Sequence, residues 1–371
     1  MLIPAILGDG LRICIKAPLD SHAEAEVHKE AHILSLTGDR NIVQFLGIWD
    51  TAIGDEGGAG RLLVMELAMG SLQQRLQDTA APLDQYELTV YPANLLAGLH
   101  HLHADLNVLH NDLKPGNLLL CHGHGVPVLK ICDLGCAVLV GSTAPAKVAE
   151  LLGGTPEFAP PEALSPYTSQ TLPSPQGCTW QADMWSAGAV FHCMLYGTPL
   201  PLPFHRAWSK WAALREAGNV PFRCHSLFRA AIQEISAADS PIAGWGSPFT
   251  IEKSISLGYY GKAPPLPKNC SGDEARALND LILKLCRHEW QTRCSARDAA
   301  RELRKGTDRL WKPDAFHTLL QIKASSGWNS EGWVTKCEEA HARTTRQYME
   351  TSGGGSSARV DLADLAIDLR E

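Results

Sequence analysis

The chain has 371 residues, enough for one large domain or two modest ones with a full hydrophobic core. With 45% hydrophobic and 20% charged residues it has the composition of an ordinary globule, which argues against a disordered, collagen-like or coiled-coil chain. A net charge of −7 without any dense Lys/Arg block makes nucleic acid or an anionic membrane surface a poor main partner, and no apolar run is long enough to span a bilayer.

In chain order, Leu11–Ile15 is predicted as a short strand after the turn Gly8-Asp9-Gly10. Ser21-His22-Ala23-Glu24 has capping-box form, and Val27, Ala31 and Leu34 follow at i, i+4 and i+7. This predicts a helix that ends at Thr37-Gly38. Asn41–Trp49 and Arg61–Leu67 read as two further strands on either side of the Gly-rich stretch Gly54–Gly60. From Gly70 the pattern turns helical: Leu95, Leu96, Leu99 and Leu102 share a face, and Pro92 is expected to kink or delay that helix. Val108–Leu109, Leu118–Leu120 and Val128–Ile131 read as short strands. Cys121-His122-Gly123-His124 lies between two of them without a second ligand pair at zinc spacing, so it is read as a hairpin turn. Ala182–Tyr196 is apolar nearly all round and marks a buried helix. Ser165–Gly177 and Ser240–Ser271 read as surface insertions, regularity weakens beyond Lys305, and Thr351–Ala358 reads as a linker. The 11 scattered cysteines include no CxxC pair and read as reduced thiols of a cytoplasmic protein, the nucleus remaining open.

The chemistry is concentrated in His110-Asn111-Asp112-Leu113-Lys114-Pro115-Gly116-Asn117, followed after the hairpin by Asp133-Leu134-Gly135. An acid, a lysine two residues on and an asparagine five residues on suit phosphoryl transfer. The carboxylate of Asp112 orients a hydroxyl and takes its proton, and Lys114 neutralises charge on the moving group. The amide oxygen of Asn117 and the carboxylate of Asp133 hold Mg²⁺.

These motifs resemble those of the eukaryotic protein kinase family. Ile13-Cys14-Ile15-Lys16 is similar to the strand that carries the phosphate-binding lysine, and counting back from Asn41-Ile42-Val43 points to Glu30 as the helix carboxylate paired with Lys16. Leu62-Leu63-Val64-Met65-Glu66-Leu67-Ala68 is similar to the strand that runs into the hinge. The resemblance makes Met65 the gatekeeper, gives the backbone of Glu66 and Ala68 to adenine, and sets Leu119 against the nucleotide. Pro160-Pro161-Glu162 is similar to the family's A-P-E, with Arg293 as the expected buried partner of Glu162. Asp183, in Asp183-Met184-Trp185-Ser186-Ala187-Gly188, resembles the aspartate that anchors the catalytic loop, and His110 is read as a structural histidine of that loop. This activation-segment block favours a protein substrate, and Lys114 with Thr155 resembles the serine/threonine type.

Three departures stand out. The family's Gly-rich loop is absent before Lys16, which suits either a chain shortened at its start, the preferred expectation, or a pseudokinase scaffold with weak or no turnover. Asn111 replaces an arginine, so phosphorylation of Ser142 or Thr143 is expected to be a weaker switch than in the family. Leu134 replaces a phenylalanine, a conservative change in packing terms. The resemblance implies an α+β, bilobal kinase-like domain over residues 1–305, with a truncated β-rich small lobe at 1–66, a hinge at 66–69 and a mainly helical large lobe at 69–305. It also implies ATP as co-substrate, Mg²⁺ and a protein substrate. Residues 306–371 read as a C-terminal extension, partly flexible; Trp311, Trp328 and Trp333 suit either packing onto the large lobe or a partner-binding segment, and an amphipathic stretch at Val360–Leu369 suits a docking peptide.

Overall fold

Alternating burial builds the first sheet. In β2 (Arg12–Lys16), Ile13 and Ile15 are buried on one face, which puts Cys14 and Lys16 on the other. β2 is antiparallel to β1 (Leu2–Ile6) and to β4 (Gly58–Glu66), and β3 (Phe45–Ile53) completes the order β1-β2-β4-β3. Ile13, Ile15, Leu62 and Val64 form a core under this sheet, with Ile3, Ala5, Leu7 and Trp49 against it. The structure, a computed structural model, describes residues 2–7, 11–18, 21–53, 58–77, 82–122, 126–139, 155, 158–160, 179–197, 266, 272–287 and 290–325. The expectations for Glu162, Ser142, Thr143, Trp328, Trp333, Ser165–Gly177, Thr351–Ala358 and Val360–Leu369 lie outside these residues, as does nearly all of Ser240–Ser271.

The described residues fall into two units: those up to Arg75, Leu118–Gly135 and from Leu320 on form one, and Leu76–Asn117 with Cys136–Leu319 form the other. In the strand-rich first unit, α1 (Ser21–Ser35) packs on β3 and β4. Its buried stripe holds Val27, Glu30, Ala31, Ile33 and Leu34, so the predicted apolar face also carries a charged residue. A short strand β5 (Gly70–Ser71) is followed by α2 (Leu72–Gln77) and pairs with β7 (Leu118–His122), which forms an antiparallel hairpin with β8 (Pro127–Ile131). The expected strand at Asn41–Trp49 begins only at Phe45. Its first residues serve another purpose: Val43 N–H donates to Ile131 O at 2.8 Å and Ile131 N–H donates to Asn41 O at 2.8 Å, around a parallel bridge between Ile42 and Ile131. This contact pins the end of β8 just before Asp133.

The second unit is mainly helical. α3 (Gln85–His100) begins ahead of Pro92, so the proline does not delay it. A capping box starts the helix: Asp84 Oδ1 accepts from Glu87 N at 2.9 Å, and Glu87 Oε2 accepts from Asp84 N at 2.8 Å. The proline costs about 3 kcal/mol. The cap contributes about 1 kcal/mol, and burial of Tyr86, Tyr91, Leu95, Leu96 and Leu99 contributes about 1.5–3 kcal/mol each. Burial wins. A π-helical turn at His101–Asp105 leads to β6 (Val108–Leu109), which pairs with β9 (Val138–Leu139). α4 (Trp180–Tyr196) is buried from Ala182 to Leu195 and ends at Gly197, in the left-handed region at φ 71°. It packs on α5 (Asp273–Leu285), and Gly188 permits the approach: a Cβ there would lie 2.5 Å from Cys286 Sγ. α6 (Ala296–Gly306), capped by Ser295, lies against α3 and α5. Beyond Lys305 the chain is more regular than expected, with a 3-10 turn at Asp308–Trp311 and α7 (Pro313–Ser325). Proline suits the first position of a helix, while Trp311 Nε1 donates to Thr307 Oγ1 at 2.9 Å and Arg309 pairs with Asp273.

Candidate active site

Each unit carries its own group of charged side chains. In the first, β2 presents Lys16 on the face opposite Ile15, and α1 buries Glu30 to 1% exposure. Lys16 Nζ lies 2.5 Å from Glu30 Oε2 and 2.8 Å from Asp133 Oδ1. Glu30 Oε1 accepts the N–H of Leu134 at 3.3 Å. Asp133 follows β8 by two residues and takes a left-handed backbone at φ 62°, a conformation that Asp tolerates better than most residues. Burial alone would pull the Lys16 ammonium down, but the carboxylates of Glu30 and Asp133 outweigh it and hold its pKa above the ordinary lysine value. Burial pushes Glu30 above the usual carboxylate range; Lys16 opposes this and Asp133 adds to it. One cation faces two carboxylates, so the group has a net negative charge that suits a cation. The Asp133 side chain is 44% exposed, leaving it accessible beyond its bond to Lys16.

On the same unit Met65 is buried in β4 opposite Cys14, Glu66 closes the strand, and Ala68 and Leu119 are half-buried. Burial pushes the Cys14 thiol up to about 11 and the Cys132 thiol well above its ordinary value. Both therefore behave as small packed residues and not as reactive thiolates.

In the second unit the loop after β6 is held by Asp183 of α4. Its Oδ2 accepts from His110 N at 2.8 Å and from His103 Nε2 at 2.8 Å, and its Oδ1 accepts from Asn111 N at 2.9 Å. Burial would raise the pKa of Asp183, but the bond from His103, the nearby His110 and the Asn111 N–H together keep it below the usual carboxylate value. Asn111 sits at φ 65° and its side-chain amide donates to Cys136 O at 3.4 Å. His110 is fully buried, and its Nδ1 accepts the N–H of Asp112 at 3.2 Å. The Asp112 carboxylate then meets four donors. Thr155 N and Oγ1 each donate to Oδ1 at 2.7 Å, while Lys114 Nζ at 2.6 Å and Asn117 Nδ2 at 3.2 Å donate to Oδ2. Lys114 Nζ also donates to Thr155 Oγ1 at 2.8 Å. Asn117 Nδ2 donates in addition to Asp112 O at 2.9 Å, so both of these bonds use the nitrogen and turn the amide oxygen the other way. Arg293 is 2% exposed; its guanidinium donates to Arg287 O and Gln181 O and lies 5.0 Å from the Trp185 ring centroid.

Among the described residues no group of three or more His, Cys, Asp or Glu could hold a metal by itself. Mg²⁺ does not need one: it keeps several waters and takes one or two side-chain oxygens with substrate phosphates. Asp133 in the first unit and Asn117 in the second each carry a side-chain oxygen of that type. Lys16, Glu30 and Asp133 are thus brought together in the first unit, and Asp112, Lys114, Asn117, Thr155, His110 and Asp183 in the second. Sequence reasoning missed His103 and Lys130. His103 stands among His100, His101 and His110, and its type and spacing do not single it out; it is in the π turn, and its ring bonds to Asp183.

One charged cluster thus surrounds a lysine on a strand, and the other surrounds an aspartate in a loop. The protein kinase domain family matches residues 11–303, and the chain belongs to that family. Its relatives include human mitogen-activated protein kinase kinase kinase 6, 31% identical over 56% of this chain and 15% of the relative. Serine/threonine-protein kinase MPS1 of Saccharomyces cerevisiae is 32% identical over 67% of this chain and 35% of that protein. Serine/threonine-protein kinase stk11 of Xenopus laevis is 31% identical over 47% of this chain and 38% of that protein. The chain thus spans well under half the length of these relatives. The family assignment agrees with the expected α+β class, with a smaller strand-rich and a larger helical unit. Proteins of this family generally use ATP and Mg²⁺ and act on proteins. Among the described residues no helix is long and apolar enough to cross a membrane.

Proposed function

We propose that the chain is an active serine/threonine-protein kinase, moving the γ-phosphoryl group of ATP to a Ser or Thr hydroxyl of a protein. The observation that carries this reading is the hydroxyl of Thr155, 2.7 Å from Asp112 Oδ1 and 2.8 Å from Lys114 Nζ. An acceptor hydroxyl placed there would meet a carboxylate able to take its proton and an ammonium able to offset negative charge. Asp112 orients and deprotonates that hydroxyl. Lys114 stabilises the charge that develops on the phosphoryl oxygens, and Thr155 shapes the place of the acceptor. Lys16, held by Glu30, binds the nucleotide phosphates, and Asp133 with Asn117 hold Mg²⁺. When bound, Mg²⁺ supplies charge neutralisation on the phosphate oxygens. Met65, Leu119 and the backbone of Glu66 and Ala68 receive the adenine. His110 and Asp183 position Asp112, and Glu162 and Arg293 stabilise the large lobe. The kinase domain is assigned to 1–305, with lobes at 1–66 and 69–305, supported by the family match over 11–303.

Asp112→Asn tests the reading. It should lower kcat for phosphorylation of a generic basic protein by about 10²–10⁴ while MgATP still stabilises the fold. Full turnover in the variant would end the assignment of Asp112. A wild-type chain that binds MgATP but labels no protein would favour the scaffold reading.

A further inference from the structure

A second ion pair joins the strand that ends at Glu66 to the strand that leads to Asp133. Lys130 Nζ lies 2.5 Å from Glu66 Oε1, with side chains 14% and 19% exposed. The same Oε1 accepts the Gln44 N–H at 2.7 Å, and Glu66 N–H donates in return to Gln44 O at 3.1 Å. Burial, and to a lesser degree the nearby Glu66 carboxylate, push the Cys121 thiol well above its ordinary value. Strands β4 and β8 and the stretch ahead of β3 therefore meet at one side chain.

A half-buried pair of this kind gives modest net stability, because partial desolvation offsets the attraction, but it ties the two strands together at one side chain. With its carboxylate held by the Lys130 ammonium and the Gln44 N–H, Glu66 has one side-chain geometry, and the peptide leading to Leu67 and Ala68 starts from one place. Leu67 N–H extends this order by donating to Arg12 O at 3.3 Å. The geometry points to Lys130 as a positioning residue: through Glu66 it sets the backbone of residues 66–68 and so the affinity for the adenine end of the nucleotide. This rests on the proposed kinase function, in which that backbone receives adenine.

The test uses the full chain with Lys130→Met, Lys130→Arg and, as a control, Arg61→Ala, which breaks an exposed pair with Asp50 in the same unit. Lys130→Met should raise KM for MgATP about tenfold, a loss of about 1.4 kcal/mol, while kcat falls less than about threefold. Adenosine, which has no phosphates, should lose affinity by the same factor. Lys130→Arg should recover most of the loss and Arg61→Ala should show none. Glu66→Gln, uncharged and of the same shape, should repeat the rise in KM and keeps the test open should Lys130→Met not fold. An unchanged KM, or weaker MgATP binding with adenosine binding intact, would overturn the inference alone. A wild-type chain that binds neither MgATP nor adenosine would overturn the kinase reading beneath it.

Discussion

Replacing Lys16 with methionine removes the cation that Glu30 and Asp133 share. Glu30, 1% exposed, would keep the N–H of Leu134 but lose its neutralising partner. Breaking a buried ion pair from one side costs about 3–5 kcal/mol. The Lys16 side chain is 23% exposed, so water reaches the vacated place and about 2–4 kcal/mol is the working figure. At about 2–4 °C per kcal/mol, Tm should fall by roughly 5–15 °C near neutral pH. The loss should also depend on pH, with a definite sign. Burial already holds the Glu30 pKa above its ordinary value of 4.5, and removing Lys16 raises it further. A carboxylate with a raised folded pKa binds its proton more tightly when folded. Its contribution is full below the unfolded value and is lost as pH rises through the folded one. The deficit of Lys16→Met should therefore shrink on acidification, by up to about 1.4 kcal/mol per pH unit while Glu30 takes up its proton. Lys16→Met/Glu30→Gln, which removes the stranded charge, should recover at least half of the deficit at about pH 8. Thermal and urea unfolding of the full chain between about pH 5 and pH 9 measures all of this. A deficit that does not change with pH, or a double variant no more stable than Lys16→Met, would refute the reasoning.

Asp183→Ala leaves the buried N–H of His110 without its acceptor, at about 1–3 kcal/mol, and removes the acceptor of the part-buried Asn111 N–H as well. It should unfold at lower urea and lower kcat more than KM. The Asp183 pKa is depressed below 3.8, so its contribution is present above that value and is lost as pH falls through the folded one. The stability gap between wild type and Asp183→Asn should accordingly narrow under acid conditions, as acid unfolding curves would show. Gly188→Ala forces a Cβ to 2.5 Å from Cys286 Sγ and 3.0 Å from Leu285 Cβ. Overpacking of this kind costs about 1–3 kcal/mol and should lower Tm while leaving KM for MgATP alone. Chelating Mg²⁺ with EDTA should abolish both phosphoryl transfer and the thermal stabilisation by ATP, and added Mg²⁺ should restore them.

The residues that can be read in the sequence are those whose chemistry is local. Asp112, Lys114 and Asn117 share one loop and come together as their spacing implies, and Thr155 reaches the same pair as expected. The capping-box start and apolar spacing of α1 are visible, and the Lys16–Glu30 pair follows from the resemblance. The features hidden from the sequence depend on partners distant along the chain. Asn41–Gln44 has the look of a strand, but its backbone is drawn to Ile131 and Glu66. Pro92 signals a helix boundary by its covalent geometry, and burial of α3 overrides that signal. His103 and Lys130 bond to partners far along the chain, Asp183 and Glu66, and neither pairing is encoded in a short motif.

The parallel bridge at Ile131 has a mechanical consequence. Ile131 is fastened on one edge to Leu118 of β7 and on the other to Asn41 and Val43, so the end of the hairpin is held on both sides. The first backbone bonds beyond this ladder lie at Cys132 and Asp133, where the chain already turns into the left-handed region. Moving Leu134 away from this position would have to break the bond between its amide and Glu30. Amide exchange along this stretch should step sharply, slow at Ile131 and faster at Leu134.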